Sequence, residues 1–301
     1  MGRRGVLGDR LLAAATGGAM ALVGAALLLV LGTVLVRGAP VLRPSFVFGA
    51  PGADPADGGL LGVIVGTVAC TVLMTVACVP VGVTTAVWLS EYAPRTSRLA
   101  AVVRGAIRNL AGVPSIVFGL FGLGFFVLFL GGRLDALLHP HAITPVFARP
   151  AMIWSSLTLA VLTLPVVVVT TEEALRAVPR DVREGAHALG ATKLQVVLRV
   201  VLPHARSGVL TGVILAVSRG AGEVAPLLFT GVVGFQARIP TDARDGFMHL
   251  GNHVYVLATQ APDVDRAQPA LFGTVLLLLL LTFSLNLAAI LLRRRGHGAN
   301  A

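Results

Sequence analysis

The sequence predicts an all-α protein, a polytopic membrane helical bundle of about six transmembrane helices. Three observations carry this. Of 301 residues, 55% are hydrophobic and only 13% are charged, whereas a soluble domain carries about 25% charged residues to cover its surface. The apolar residues come in blocks long enough to cross a bilayer, about 20 residues each. Runs such as Val275–Leu281 are continuously apolar. That suits helices, which pair every backbone group within the segment. It does not suit the alternating strands of a membrane barrel.

Span 1 is expected at roughly 11–36. It follows Arg3, Arg4 and Arg10, as a signal peptide would. Its apolar stretch exceeds a signal core and no clear small-residue cleavage site follows, so it is read as a retained helix. Residues 37–58 carry Pro, Gly and Asp and read as a loop. Span 2 runs from about Gly59 to Leu89. Cys70 and Cys78 both fall within it. Eight residues on a helix rise roughly 12 Å, too far for a disulfide, so both are packing or lipid-facing residues. Span 3 is expected at about 109–131, with Gly112, Pro114, Gly119, Gly122 and Gly124 inside it. Small residues let membrane helices approach closely, and Pro114 kinks the helix or frees a carbonyl that a pathway can use. Span 4 is expected at about 150–171, span 5 at about 208–233 and span 6 at about 269–292. Between spans 5 and 6, Phe247–Ala258 reads as a short helix on the outer face. His249 and His253 have the i, i+4 spacing of metal ligands. No third ligand has matching spacing, so surface histidines and no metal site are expected.

Orientation follows from Lys and Arg. With six spans, the termini and the loops 2–3 and 4–5 share one side, which holds sixteen basic residues against seven opposite, Arg219 lying in a span. The positive-inside rule places both termini in the cytoplasm of a multi-pass cell-membrane protein. The net charge of +10 is thus a topology signal and calls for no nucleic acid.

The loop between spans 4 and 5, about 172–207, is the most informative stretch. Pro179 suits a helix start, Glu184 to Leu189 give a short helix, and Gly190 suits its C-terminal cap. Thr192 caps a second short helix, which Leu202-Pro203 stops. Two short helices joined at a glycine make a compact knob, suited to docking on a soluble partner.

This loop resembles the coupling motif of ABC importer permeases. The family pattern is Glu-Ala-Ala, three residues, Gly, nine residues, an aliphatic residue, one residue, then Leu-Pro. Glu184, Ala186, Gly190, Val200, Leu202 and Pro203 stand at those spacings. Gly185 departs from the usual Ala, which lowers helix propensity by roughly 1 kcal/mol. Asn109 to Gly119, including Pro114 and Ser115, resembles the third-span signature of phosphate permeases, as does Glu91-Tyr92-Ala93-Pro94. Arg219-Gly220-Ala221-Gly222-Glu223-Val224-Ala225-Pro226 resembles their fifth-span segment and leans toward the PstA type. The resemblance runs from span 2 to span 6 and implies a single permease domain, 1–301, of the type I ABC importer fold. It also implies partners: a PstC-like permease, a cytoplasmic ATPase dimer that binds ATP and Mg, and an external phosphate-binding protein. The sequence has no G-x-x-x-x-G-K-[ST] loop, so this chain has no phosphate cradle of that kind and the resemblance assigns it no cofactor and no enzyme activity.

Two charges stand inside span 5. Arg219 and Glu223 are four residues apart, hence on one helix face, and a mid-helix Arg costs about 2.5–3.5 kcal/mol on insertion scales. Either the pair neutralises itself and locks span 5 to a neighbour, or Arg219 meets an oxyanion in transit while Glu223 allows release. Guanidinium suits phosphate because its planar donors match two oxygens. Together with Ser115 and Pro114 these are the candidate pathway residues. An intramembrane protease needs Ser and His, or two Asp, at bilayer depth, and the expected spans contain neither set. A secondary transporter or channel needs no coupling loop. Within ABC importers, another oxyanion such as sulfate or molybdate stays open.

Overall fold

The computed structural model describes residues 3–49, 58–94, 96–236 and 239–298. Helix α1 (Arg3–Gly38) leads through a tight turn, Ala39–Val41, to the short α2 (Pro44–Phe48). Helix α3 (Leu61–Val87) ends in a wide i→i+5 turn, Trp88–Tyr92. Helix α4 (Arg98–Ala111) follows, capped by the Ser97 hydroxyl, which accepts from the Ala100 N–H. Helix α5 (Ser115–Phe121) runs on through a wide-turned segment, Gly122–Gly131, into α6 (Gly132–Leu138). Then come α7 (Met152–Ala177), α8 (Arg180–Ala188) and α9 (Lys193–Val196). A further wide turn, Val197–Val201, joins α9 to α10 (Leu202–Gly222). The short α11 (Leu227–Thr230), α12 (Leu250–Thr259) and α13 (Val264–Gly298) complete the order. Among the described residues the extended pairing is a single bridge between Val232 and Phe247.

Among the described residues, six stretches are long and apolar enough to cross a membrane: Leu11–Val41, Leu61–Tyr92, Ser115–Leu138, Met152–Ala177, Lys193–Gly222 and Val264–Ala288. The chain is a multi-pass helical membrane protein. Helix α7 is its axis, the most buried of the six, whereas span 1 is almost wholly exposed. It packs on α3 and α10, and α13 joins α10 to α12 and α1. Contact between the central helices depends on glycines, as expected where backbones must approach closely. Gly82 lies on Val167, Gly212 on Thr170, Gly208 on Ala174 and Gly220 on Met74, each without room for a Cβ. Cys70 and Cys78 are buried, free packing residues in this seam.

Four expectations need correction. Pro114 does not kink span 3 from within. It stands at the N-cap of α5, so the expected start at 109 belongs to the end of α4. The physical reason is local: proline disfavours helical backbone in the residue before it, and α4 has ended at Ala111. Second, Leu202-Pro203 does not stop the second knob helix. The wide turn Val197–Val201 carries the chain straight into α10, and Leu202 N–H reaches back to Val197 O, so the helix continues past Pro203. Third, span 5 does not reach 233: it ends at Gly222, and Glu223 is already extended, with ψ 136°. Fourth, His249 and His253 are not surface residues but buried, 1% and 4% exposed. Helix α12 does form, but its inner face is docked on α3 and α13. Of the residues expected in the loop 37–58, those at 50–57 lie outside the described residues.

Candidate functional site

The contacts along α7 act as a depth gauge. Ile107 of α4 lies beside Val168 across a shared cleft, and Gly122 lies against Thr158. The break between α4 and α5, at 112–114, therefore falls between the levels of residues 158 and 168 of α7. Gly220, at the end of α10, lies against Thr163 as well as Met74. The break that follows, at Glu223–Pro226, is bounded on the far side by Gly119, which touches Pro226 and Phe229. Two neighbouring spans are thus interrupted in one slab, near the middle of α7. Spans 2 and 4 carry Pro80 and Pro165 at about this level, Gly82 being against Val167. Broken helices at mid-span are tolerated only where the freed backbone faces protein or a polar cavity.

The charged pair sits at this break. Arg219 is in the last turn of α10, and its Nε lies 3.5 Å from Oε1 of Glu223 just beyond the helix end. The pairing expected from the i, i+4 spacing holds, although Glu223 has left the helix. The pair is long and open: the Arg219 side chain is 42% exposed in this chain and Glu223 20%. Gly222, between them, has nothing within reach of an added Cβ. Next to Arg219, Ser218 accepts from Asn286 Nδ2 at 3.0 Å, which ties α10 to α13. Ser115 opens α5, the continuation of span 3 beyond the break, in the same slab, with Pro114 before it. Among the described residues no hydrogen bond or ion pair joins Ser115 to Arg219. A helix start carries partial positive charge, so the two breaks supply a guanidinium and a helix N-terminus at one level.

The knob lies at the opposite extreme of polarity and order. Helix α8 starts after Pro179, and its end is a Schellman turn: Gly190 N–H donates to His187 O at 2.9 Å and Ala191 N–H to Ala186 O at 3.2 Å. Gly190 has φ +83°, with open space where a Cβ would stand. Backbone conformation, then, is what requires glycine here, and not a close neighbour. Thr192 and Gln195 form a capping box on α9. Glu184, Gly185 and Leu189 face outward, Leu189 being 91% exposed. Ala186 and Leu202 face inward, in an apolar cluster with Leu89, Leu175, Val178, Val196 and Val201, while Pro203 is exposed.

Sequence reasoning missed a charged layer between knob and bundle. Glu172 accepts from Arg104 Nε at 2.9 Å and from Arg176 Nη2 at 2.6 Å. Arg104 also donates to Leu89 O at 2.7 Å. Arg183, on α8, donates to Val178 O at 2.7 Å, to Leu175 O at 2.6 Å and to Glu91 Oε1 at 3.1 Å. Lys193 stands 4.9 Å from the centre of the Tyr92 ring. The signal was in the sequence. A carboxylate closes each of two apolar spans, Glu91 and Glu172, on a side crowded with arginines.

The far end is closed by the segment after α11. Ala151, Met152 and Ile153 at the start of α7 donate to Thr230 O, Asp245 O and Ala243 O at 2.8–2.9 Å, which satisfies N–H groups that a helix start leaves open. Arg244 hydrogen-bonds Asp242 and holds its carboxyl down at about 2. His249 accepts from Gly251 N–H at 3.2 Å, and burial pushes its imidazole down to about 4, so it is neutral at pH 7. No group of three metal-ligating side chains exists among the described residues.

Known proteins resemble the chain on this scale. A family model for "Binding-protein-dependent transport system inner membrane component" matches residues 78–297. The phosphate transport system permease protein PstA 1 of Mycobacterium tuberculosis is 34% identical over 237 residues, 78% of this chain and 71% of that protein. The PstA permease of Haemophilus influenzae is 36% identical over 201 residues, 67% of this chain and 65% of that one. Among solved structures, a chain of a bacterial alginate ABC transporter superposes with a TM-score of 0.68, covering 97% of this chain and 96% of that one at 14% identity. A chain of the inward-facing MetNI methionine ABC transporter gives 0.62, covering 79% and 95% at 18% identity.

Proposed function

The chain belongs to the family of binding-protein-dependent transport system inner membrane components, and from that premise we propose that it is the permease subunit of an ATP-driven phosphate importer. It is a transport subunit, with ATP and Mg held by a separate ATPase dimer. A PstC-like permease completes the pathway, and an external phosphate-binding protein delivers the solute. The knob and both termini face the cytoplasm, so that α8, with Glu184, Gly185, Ala186 and Gly190, meets the ATPase, while Leu202 and Pro203 carry the motion into span 5.

One observation carries the solute reading: Arg219 stands half-exposed at a break in span 5, level with a break in span 3. A phosphate at this level must lose part of its water. The planar fork of Arg219 replaces two of those water contacts, and the N-terminal end of span 3 at Ser115 adds partial positive charge. Pro114 fixes where that end falls. Glu223, 3.5 Å from Arg219, competes with the anion for the guanidinium. It keeps binding weak enough for release, and it neutralises Arg219 when no anion is present.

The test is uptake of labelled phosphate in cells lacking this gene, with and without the gene restored, and with excess sulfate and molybdate as competitors. Restored phosphate uptake that neither competitor reduces is the expected result. Restored sulfate or molybdate uptake without phosphate uptake would assign another oxyanion.

A further inference from the structure

Helix α8 has two faces. Glu184 and Leu189 point away from the bundle, and Arg183 and Ala186 point into it. Helix α9 and the turn Val197–Val201 need no separate fastening, because they run continuously into α10. Helix α8 is joined to α7 through Val178 and Pro179 and continues no span as a helix. It packs on α9 and that turn, and beside it a cleft of about 640 Å³, lined by Glu91, Arg104, Arg176, Arg180 and Arg183 among others, separates it from the ends of spans 2 and 4. Arg183 bridges that cleft. Two of its three bonds go to Leu175 O and Val178 O, carbonyls at the end of α7, and the third goes to Glu91 in the wide turn that ends span 2. Both partners of the Glu91–Arg183 pair are largely buried, at 11% and 20% exposed. Tyr92, the next residue, faces Lys193 at the start of α9.

We propose that Glu91 and Arg183 form a latch that makes α8 move with spans 2 and 4, so that both are positioning residues for coupling. The inference rests on the reading of the knob as the ATPase-docking element. A push on the outer face of α8 then reaches Pro80 and Pro165, in the slab where spans 3 and 5 are broken, through a charge-assisted pair and two capped carbonyls. Without the latch, α8 still docks but slides across the cleft.

The experiment uses the assembled importer in proteoliposomes, with phosphate uptake and ATP hydrolysis measured together. Glu91→Ala, which leaves Arg183 its two main-chain carbonyls, should still assemble in the membrane and retain its ATPase on purification, while phosphate moved per ATP falls about tenfold, the size of one lost charge-assisted hydrogen bond. Glu91→Gln keeps an acceptor oxygen and should fall less, by about threefold. Wild-type phosphate per ATP in Glu91→Ala would overturn the latch. Absence of both variants from the membrane would make the pair a folding contact and overturn it equally. Gly190→Val separates this from the underlying reading. It should lose the ATPase on purification, because a β-branched residue resists the positive φ. A Gly190→Val importer that keeps its ATPase and transports normally would overturn the docking role of the knob, and the latch with it.

Discussion

The middle of the bundle and its knob end are built on opposite principles. At the knob end, Glu172 receives two guanidiniums, Arg104 reaches a main-chain carbonyl and Arg183 makes three bonds. In the middle, two spans are broken and one charged pair stands 3.5 Å apart and partly exposed. Burying polar groups is tolerable when every donor and acceptor is satisfied. The densely bonded region, in which Arg183 makes three bonds although its Nε has no partner, therefore holds one geometry, and the sparsely bonded one leaves donors for a passing solute to satisfy. The difference teaches that charge inside a membrane protein has two uses, told apart by how completely it is paired.

The contrast breaks first at Glu172. Glu172→Ala leaves Arg104 and Arg176 without their shared acceptor, at a cost of about 2–3 kcal/mol. We expect a lower unfolding midpoint in detergent and reduced membrane abundance, whereas the double variant Arg219→Gln, Glu223→Gln, which leaves no charge unpaired, should keep its abundance. Equal losses in the two variants would erase the distinction between the regions. A smaller effect is expected at the far end, where His249 is buried and neutral with its imidazole at about 4 against 6.5 when unfolded. The unfolded chain takes up a proton below pH 6.5 and the folded chain does not until about pH 4. Stability is therefore full above pH 6.5 and falls as pH drops through that window, by up to about 1.4 kcal/mol per unit. His249→Gln should flatten the unfolding midpoint between pH 6.5 and 5, and an unchanged slope would refute the assignment. The smallest effect is expected at Gly185, where an added Cβ meets nothing within 4 Å. Gly185→Ala should stabilise α8 by about 1 kcal/mol with uptake unchanged. Lost uptake would mean that a docked partner fills that space.

Much of this was legible because it rests on local rules. Six apolar blocks became six spans. Pro179, Gly190 and Thr192 became the start, reversal and cap of the knob helices, since caps and positive-φ glycines depend on a few neighbouring residues. Positions set by distant contacts were not legible. Pro203 reads as a stop, yet the wide turn before it absorbs the proline. His249 and His253 read as surface residues because nothing local shows that α12 docks on α3 and α13. Arg104 and Arg183 read as topology charges because their partners lie far away in sequence, 68 residues for Arg104–Glu172 and 92 for Arg183–Glu91.

The central claim is that Arg219 meets the anion, and the double variant Arg219→Gln, Glu223→Gln tests it most directly. Both charges go, so neither is left unpaired in the membrane. Membrane abundance and phosphate uptake should be read in the same preparation. The account predicts normal abundance with uptake near background, because no guanidinium remains to replace the water of the phosphate. Normal abundance with wild-type uptake would contradict it and leave Arg219 and Glu223 as a structural pair that closes the end of span 5.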